Sequence, residues 1–434
     1  MKDDIRIVNA RMWDGFSLVN LGFTLKGGRI ARIAADSHLP EAERTFDAMG
    51  MAVFPGFIDS HVHLRDFGDS HKEDFLSGTG AAVAGGFTTV LDMPNTSPPV
   101  TTAPVLVERK QKARGMILSN VGFYSSPATI DDVGALSGAG SIAFKVYLAS
   151  RLEGTIDYSN MAQLKNLMSR IRSEKGLLVI HAEDATFFLK KENAGIDYRP
   201  VKAETVAIDK VIEAANRTRC SVHIAHISTM RGLRKVTMAK MDGTDISCES
   251  SPHHSLLDQE NTSMSSLTCC VPPLRSRSDR EAVFAGIVNG SVEMIASDHA
   301  PHSLEEKQNE MVPGFPGLEV TLPLMLDMVS KGALTLKRLC ELMISYPCAR
   351  FNLKDRGEIR EGYWGDFTIV NLKKKNRIRA DKFHSKAKYS PFDGRDVTGS
   401  VYATFVKGRT AFLENSLVGT PGMGEVLEGN AIPS

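Results

Sequence analysis

The stretch "GFIDSHVHLRDFGDSHKEDF" (56–75) governs how the rest of the chain is read. An apolar run ends at Asp59, and His61, His63 and Arg65 then follow at every second position. Side chains two apart on a strand point to the same side, so this segment offers two imidazoles and a guanidinium to one point. Two imidazoles from one strand end suit a divalent metal such as zinc. The arginine would repel such a cation unless an anion lay between them, and its planar fork binds a carboxylate through two parallel hydrogen bonds. An isolated HxH carries little weight, because two surface or internally satisfied histidines give the same pattern. Its meaning rests on what the other strands bring to the same place.

Beyond this segment, apolar β-branched runs alternate with helical patterns. The strand candidates are "AVFPGFIDSHVH", "TTVLDM", "SNVGFY", "SIAFKVYL", "LLVIHAE", "CSVHIAHIS", "DISCESSP" and "VEMIASD". Segments with helical character, such as "DYSNMAQLKNLMSRIRSEK" and "AETVAIDKVIEAANRT", lie between them. Strand and helix in alternation argue for a parallel sheet. Eight strands is the number that closes a (β/α)8 TIM barrel, expected over residues 54–345. The ends have a different texture. Residues 1–53 contain "DIRIVNARMWDG" and a hairpin pattern around Gly27-Gly28, and residues 346–434 contain "GYWGDFTIVNL" and "GSVYATFVKGRTAFL". Both ends read as strands and turns. The simplest arrangement is an α/β protein: one barrel beside a small β-sandwich domain formed from both termini.

Bulk properties narrow the function classes. The 434 residues carry a net charge of +1, with 42% hydrophobic and 24% charged residues. That balance gives no electrostatic reason to expect nucleic acid or an anionic membrane as partner. No run of apolar residues is long enough for a spanning helix, and the N-terminal segment has acidic residues and a strand-like pattern rather than a targeting signal. The six cysteines, Cys220, Cys248, Cys269, Cys270, Cys340 and Cys348, form no CxxC pair. Scattered thiols of this kind fit a reduced, cytoplasmic protein.

Active sites of such barrels lie at the C-terminal ends of the strands, so the strand ends are the test. The first ends in His61 and His63, the second leads to Asn95 in "MPNT", the fourth contains Lys145, the fifth ends in His181, the sixth in His226 and the eighth in Asp298. Ligand-type residues thus recur at one end of six strands. Lys145 is the most informative, since an unpaired ammonium in an apolar strand is costly and shifts its pKa down or finds a partner. A neutral amine attacks carbon dioxide, and the resulting carbamate has two oxygens able to bridge two cations. Asp298 reads as a helix cap or as a metal ligand that shuttles a proton. His253, His254 and His299 read as structural. His223, three residues before His226, is expected on the opposite side of its strand and has no ligand role.

"PGFIDSHVHLRD", "KEDFLSGTGAAVAGGFTTVLDMPNTSPP", "FKVYLA", "HAED", "AHIST", "SPHHSLL", "VPPLR" and "SDHAPHSLEEK…PGFPGLE" together resemble the dihydroorotases, zinc amidohydrolases of pyrimidine biosynthesis. The resemblance runs in order from Pro55 to Glu319. The arginine after HxH, with "MPNT", separates that family from hydantoinases and allantoinases, which share the barrel and the metal ligands. It implies two zinc ions per chain. His61, His63 and Asp298 would hold one and His181 and His226 the other, with Lys145 as a carboxylated lysine bridging them. It implies Arg65, Asn95 and His302 as substrate contacts, with Pro313-Gly314 adding backbone contacts. Val271 stands where the family often has a polar residue, so a contact there would come from its backbone. The implied reaction is reversible cyclisation of N-carbamoyl-L-aspartate to L-dihydroorotate, with Asp298 as the proton carrier. A homodimer is implied by the same analogy. The segment "ASRLEGT" (149–155) reads as a loop over the site. A hydantoinase or allantoinase is the rival reading, and a non-catalytic scaffold on the same barrel, expected to have lost ligands, is a remote one.

Overall fold

The computed structural model describes residues 2–189, 198–263 and 265–429. Eight strands run parallel in chain order: β1 (Phe57–Val62), β2 (Phe87–Asp92), β3 (Asn120–Phe123), β4 (Phe144–Tyr147), β5 (Leu177–His181), β6 (Ser221–Ile224), β7 (Ile246–Ser250) and β8 (Met294–Ile295). They form a three-stranded sheet, β1 to β3, and a five-stranded sheet, β4 to β8. Two isolated parallel bridges span the gaps between these sheets. Ser125 pairs with Phe144 beside β3 and β4, and Val62 pairs with His299 beside β1 and β8. The Lys145 amide donates to the Ser125 carbonyl and the His63 amide to the His299 carbonyl, both at 2.8 Å.

Helices follow the strands as the sequence periodicity predicts. They are α1 (Phe75–Ala84), α2 (Ala103–Arg114), α3 (Asp132–Gly138), α4 (Met161–Ser173), α5 (Val201–Thr218), α6 (Met230–Met241), a short α7 (Pro252–Leu256) and α8 (Arg277–Asn289). α4 shows the local logic: Asn160 caps its first turn by accepting from the amides of Ala162 and Gln163, which satisfies donors the helix leaves open. Its apolar stripe, Leu164, Leu167, Met168 and Ile171, is buried against the sheet at the spacing of a helix with one face inward. The largest cluster of buried apolar side chains is made in this way from strands and helices together.

The strands of the two chain ends do mix. One seven-stranded sheet places Ser416–Leu417, Arg409–Leu413, Asp396–Val406 and Phe367–Arg377 next to Ala52–Pro55, Arg11–Trp13 and Leu18–Asn20. A four-stranded sheet is built from N-terminal residues 3–47. Phe23, Phe367 and Phe405 pack between them, with rings stacked 4.4 Å apart for the last two. The segment expected as one long strand, "AVFPGFIDSHVH", therefore serves two sheets. Ala52–Pro55 pairs antiparallel with Phe367–Val370, and Phe57–Val62 belongs to the parallel set. Gly56 is the joint between them. A Cβ there would lie 1.9 Å from Oγ1 of Thr88, so no side chain fits.

Candidate metal centre and anion site

β1 delivers His61 and His63 to one place, with ring centroids 5.4 Å apart. Each ring is oriented by a second partner. His61 Nδ1 donates to Glu249 at 2.6 Å and His63 Nδ1 donates to the Asn95 side-chain oxygen at 2.6 Å. With Nδ1 carrying the proton, Nε2 of each ring is a bare lone pair. Both Nε2 atoms face Asp298 Oδ1, at 3.5 and 3.4 Å. Three donors thus converge within 4.8 Å of one another, a set suited to a divalent cation.

A second pair adjoins the first. His181, the last residue of β5, has its ring 4.7 Å from that of His226, and His226 lies 5.2 Å from His61. Nε2 of His181 is engaged by Glu183 at 2.9 Å, and its Nδ1 lies 3.0 Å from Nε2 of His226. Burial opposes ionisation of Glu183, yet the bond from His181 and the charges of Arg199 and Arg275 hold its pKa down to about 2.

Lys145 sits in β4, fully buried. Its Nζ has no hydrogen-bond partner among the described residues, and it lies 5.2 Å from the centre of the Tyr147 ring. Burial lowers its pKa to about 8, against the pull of Glu249 and Asp298. A buried ammonium with no hydrogen-bond partner is a costly object, and conversion to a metal-bridging anion removes the cost. The residues present therefore fit a metal centre. The same burial pushes the Asp298 carboxyl above its usual range, although His61 and Lys145 draw it back.

Backbone strain marks the site. Arg65, His226 and Asp298 have φ of 58°, 35° and 49°, a left-handed region that non-glycine residues enter at a cost and that clusters at functional sites. His226 lies two residues past the end of β6, and its ring packs against those of His61 and His181, whereas His223 lies within the strand. His223 lies 2.8 Å from Ser247 Oγ and 3.3 Å from Glu249. Glu249 thereby joins His61 to His223 and also accepts from Ser60 at 2.7 Å. Neither Glu249 nor Glu183 is singled out by sequence reasoning. Glu249 lies in the polar strand Ile246–Ser250, and Glu183 lies two residues past the end of β5.

The anion side is built around Arg65. Its Nε donates to the Pro301 carbonyl at 3.3 Å, and its NH2 group lies 3.3 Å from Nε2 of His302. That nitrogen also lies 3.1 Å from the Pro313 carbonyl. It cannot accept from arginine and donate to a carbonyl at once, so one contact is unfulfilled. Burial, with Arg65 next, pushes the His302 pKa down to about 3, so its ring is neutral. Gly314 packs against Ala300, with φ of 117°. Asn95 uses its side-chain oxygen on His63. Val271 is half-buried, one residue before Pro272, whose carbonyl accepts from His254. His299, taken as structural, is buried and accepts from the Gly317 amide at 3.2 Å.

The amidohydrolase family model matches residues 52–411. A dihydroorotase of Methanothermobacter thermautotrophicus is 33% identical over 98% of this chain and 96% of its own length. A dihydroorotase of Pyrococcus furiosus is 36% identical over 92% of this chain and 90% of its own. Among solved structures, an L-hydantoinase (dihydropyrimidinase) from Arthrobacter aurescens has a TM-score of 0.91 at 28% identity, covering 98% of this chain and 100% of that one. This likeness carries the α/β barrel architecture with an additional domain. Chain-wide similarity and the site geometry lead to one placement: the chain belongs to the amidohydrolase family, among its dihydroorotases.

Proposed function

We propose that this chain catalyses the reversible closure of N-carbamoyl-L-aspartate to L-dihydroorotate, in de novo pyrimidine synthesis. The observation that carries the reading is the junction of Arg65 and His302 with the His61–His63–Asp298 cluster. A carboxylate of the substrate would replace the direct contact between Arg65 and His302, accepting from the guanidinium and freeing His302 to donate. His61, His63 and Asp298 would hold one zinc ion and His181 and His226 a second, with Lys145, as the carbamate, between them. Bound there, divalent metal would supply a nucleophilic water at neutral pH and polarisation of the amide carbonyl. Asp298 takes the proton of the attacking water and returns it to the ring nitrogen as the carbon–nitrogen bond breaks, and it works in reverse during closure. Arg65, Asn95 and His302 hold the substrate so that the reacting carbon faces the nucleophile. Val271, Pro313 and Gly314 complete the wall through backbone groups.

The architecture belongs to the same reading. In this reading the eight strands would close as one (β/α)8 barrel over residues 57–345, while residues 1–55, whose last strand pairs with Phe367–Val370, and residues 346–434 make the composite β-sandwich. Support comes from the bridges at both gaps. The six free cysteines favour a cytoplasmic setting.

A hydantoinase reading has its own support in the likeness to the Arthrobacter enzyme. Measuring turnover of dihydroorotate, hydantoin and allantoin on the metal-loaded protein separates the two. Preference for dihydroorotate is expected. Comparable or faster hydantoin turnover would remove the proposed substrate and leave the metal centre intact.

A further inference from the structure

We propose that His253, His254 and Cys270 form a separate site for a soft divalent cation such as zinc or cadmium. His253 and His254 lie on the short helix α7, just after β7, and Cys270 lies in the segment leading to Val271 and Pro272. One ring nitrogen from each histidine and the Cys270 sulfur gather within 4.8 Å of one another. All three side chains are buried, at 2%, 3% and 4% exposure.

Hydrogen bonding leaves donors without work. Nε2 of His254 lies 3.0 Å from the Pro272 carbonyl. A carbonyl only accepts, so Nε2 carries the proton and Nδ1 is a bare lone pair. That Nδ1 has no partner among the described residues, and neither does Nε2 of His253. An imidazole fixed through one nitrogen by a carbonyl, with the other bare, is the arrangement in which histidine binds metal. The two rings lie 4.3 Å apart, and His253 is held edge-on by Phe315 at 4.9 Å. The rings are thus braced before any cation arrives.

The donor set is two nitrogens and one sulfur, which selects zinc, cadmium or mercury over magnesium or calcium. Burial keeps the Cys270 thiol protonated. Binding would release that proton to solvent and leave the thiolate on the metal. A fourth position remains for water, as in open three-ligand sites. Occupancy would tie α7 to the segment that carries Val271, and so would brace one wall of the substrate site. Sulfur distinguishes this site from the one at His61, whose donors are all nitrogen and oxygen.

The test loads metal-free protein with cadmium or cobalt and reads the thiolate-to-metal charge-transfer absorption. The band is expected in the parent protein and in Cys269→Ser, and it should vanish in Cys270→Ser together with one equivalent of bound metal. If Cys270→Ser does not fold by circular dichroism, His253→Asn replaces it, and a shifted band or weaker cadmium binding is expected. A folded parent protein without the band, or a band that survives Cys270→Ser, overturns the proposal. The readout is independent of turnover, so it stands apart from the substrate assay.

Discussion

Glu249 shows how much one buried carboxylate decides. It holds Nδ1 of His61, meets His223 and accepts from Ser60, so it sets the tautomer of a proposed ligand from a different strand. Its pKa lies well below the usual range: burial opposes this, but His61 and His223 prevail. Glu249→Gln keeps the shape and removes the charge. Metal affinity should fall roughly 10–100-fold, the range for partners one step behind a ligand, as read by competition with a chromogenic chelator. Unchanged affinity would make Glu249 a packing residue. Asp298→Ala should leave a folded protein whose turnover is lower by about 10²–10⁴; near-parental turnover would strike Asp298 from the proton path. Arg65→Met should raise KM for dihydroorotate well above the change in kcat, because it removes a carboxylate clamp and not a proton carrier. An unaltered KM would place the substrate anion elsewhere. HxH followed by arginine was legible in the sequence at this scale. Glu249 was not, because it becomes the partner of His61 only once distant strands are set side by side; Glu183 was passed over although it stands only two residues from its partner His181.

At the scale of elements, the ends of strands and the loops after them hold the site in place. Helix α9 (Leu304–Asn309) begins beyond His302 with a capping box between Ser303 and Glu306, and Lys307 on it is fully buried. Its Nζ donates to the carbonyls of Ser266 and Val312 at 2.8 and 2.7 Å, pinning the loop that ends in Pro313-Gly314. Burial lowers the Lys307 pKa from 10.5 to about 8, while the nearby cysteines pull it up. A lysine depressed in the folded state binds fewer protons there than when unfolded. Its contribution to stability therefore rises with pH between about 8 and 10.5. Lys307→Met should lose that rise, seen as a flatter dependence of the urea midpoint across the window. An identical pH dependence in both proteins would show that Lys307 titrates normally. Strand and helix alternation, with one apolar stripe per helix, was readable from periodicity. The joint at Gly56 was not, since an unbroken apolar run conceals a change of sheet. His226, with φ of 35°, lies past the end of β6, where strand alternation no longer sets the direction of a side chain.

For the whole molecule, two bodies of structure share their seams. Asp366 of the β unit accepts from Asn120 at 2.8 Å and from Arg356 at 3.0 Å, and Glu73 after β1 accepts from Ser385. The β unit therefore closes on the parallel set at its edge and at the loop beside the site. A ligand bound only by the folded state adds stability by mass action. Stripping metal with a chelator should lower the unfolding free energy by about 2.7 kcal/mol when free metal had been held near 100 times its Kd. Zinc should restore the loss, as followed by urea titration. No change would remove metal from the architecture of the site. The sequence alone determined the alternation of elements, the different texture of the two ends and the ligand types at the strand ends, because these follow from local periodicity and from residue chemistry. Only the tertiary structure decided which buried groups meet: Glu249 with His61, Arg65 with His302, and Cys270 with His253 and His254. Such meetings depend on the register between strands and on a few residues held in left-handed backbone, and neither is written in the local pattern of a single segment.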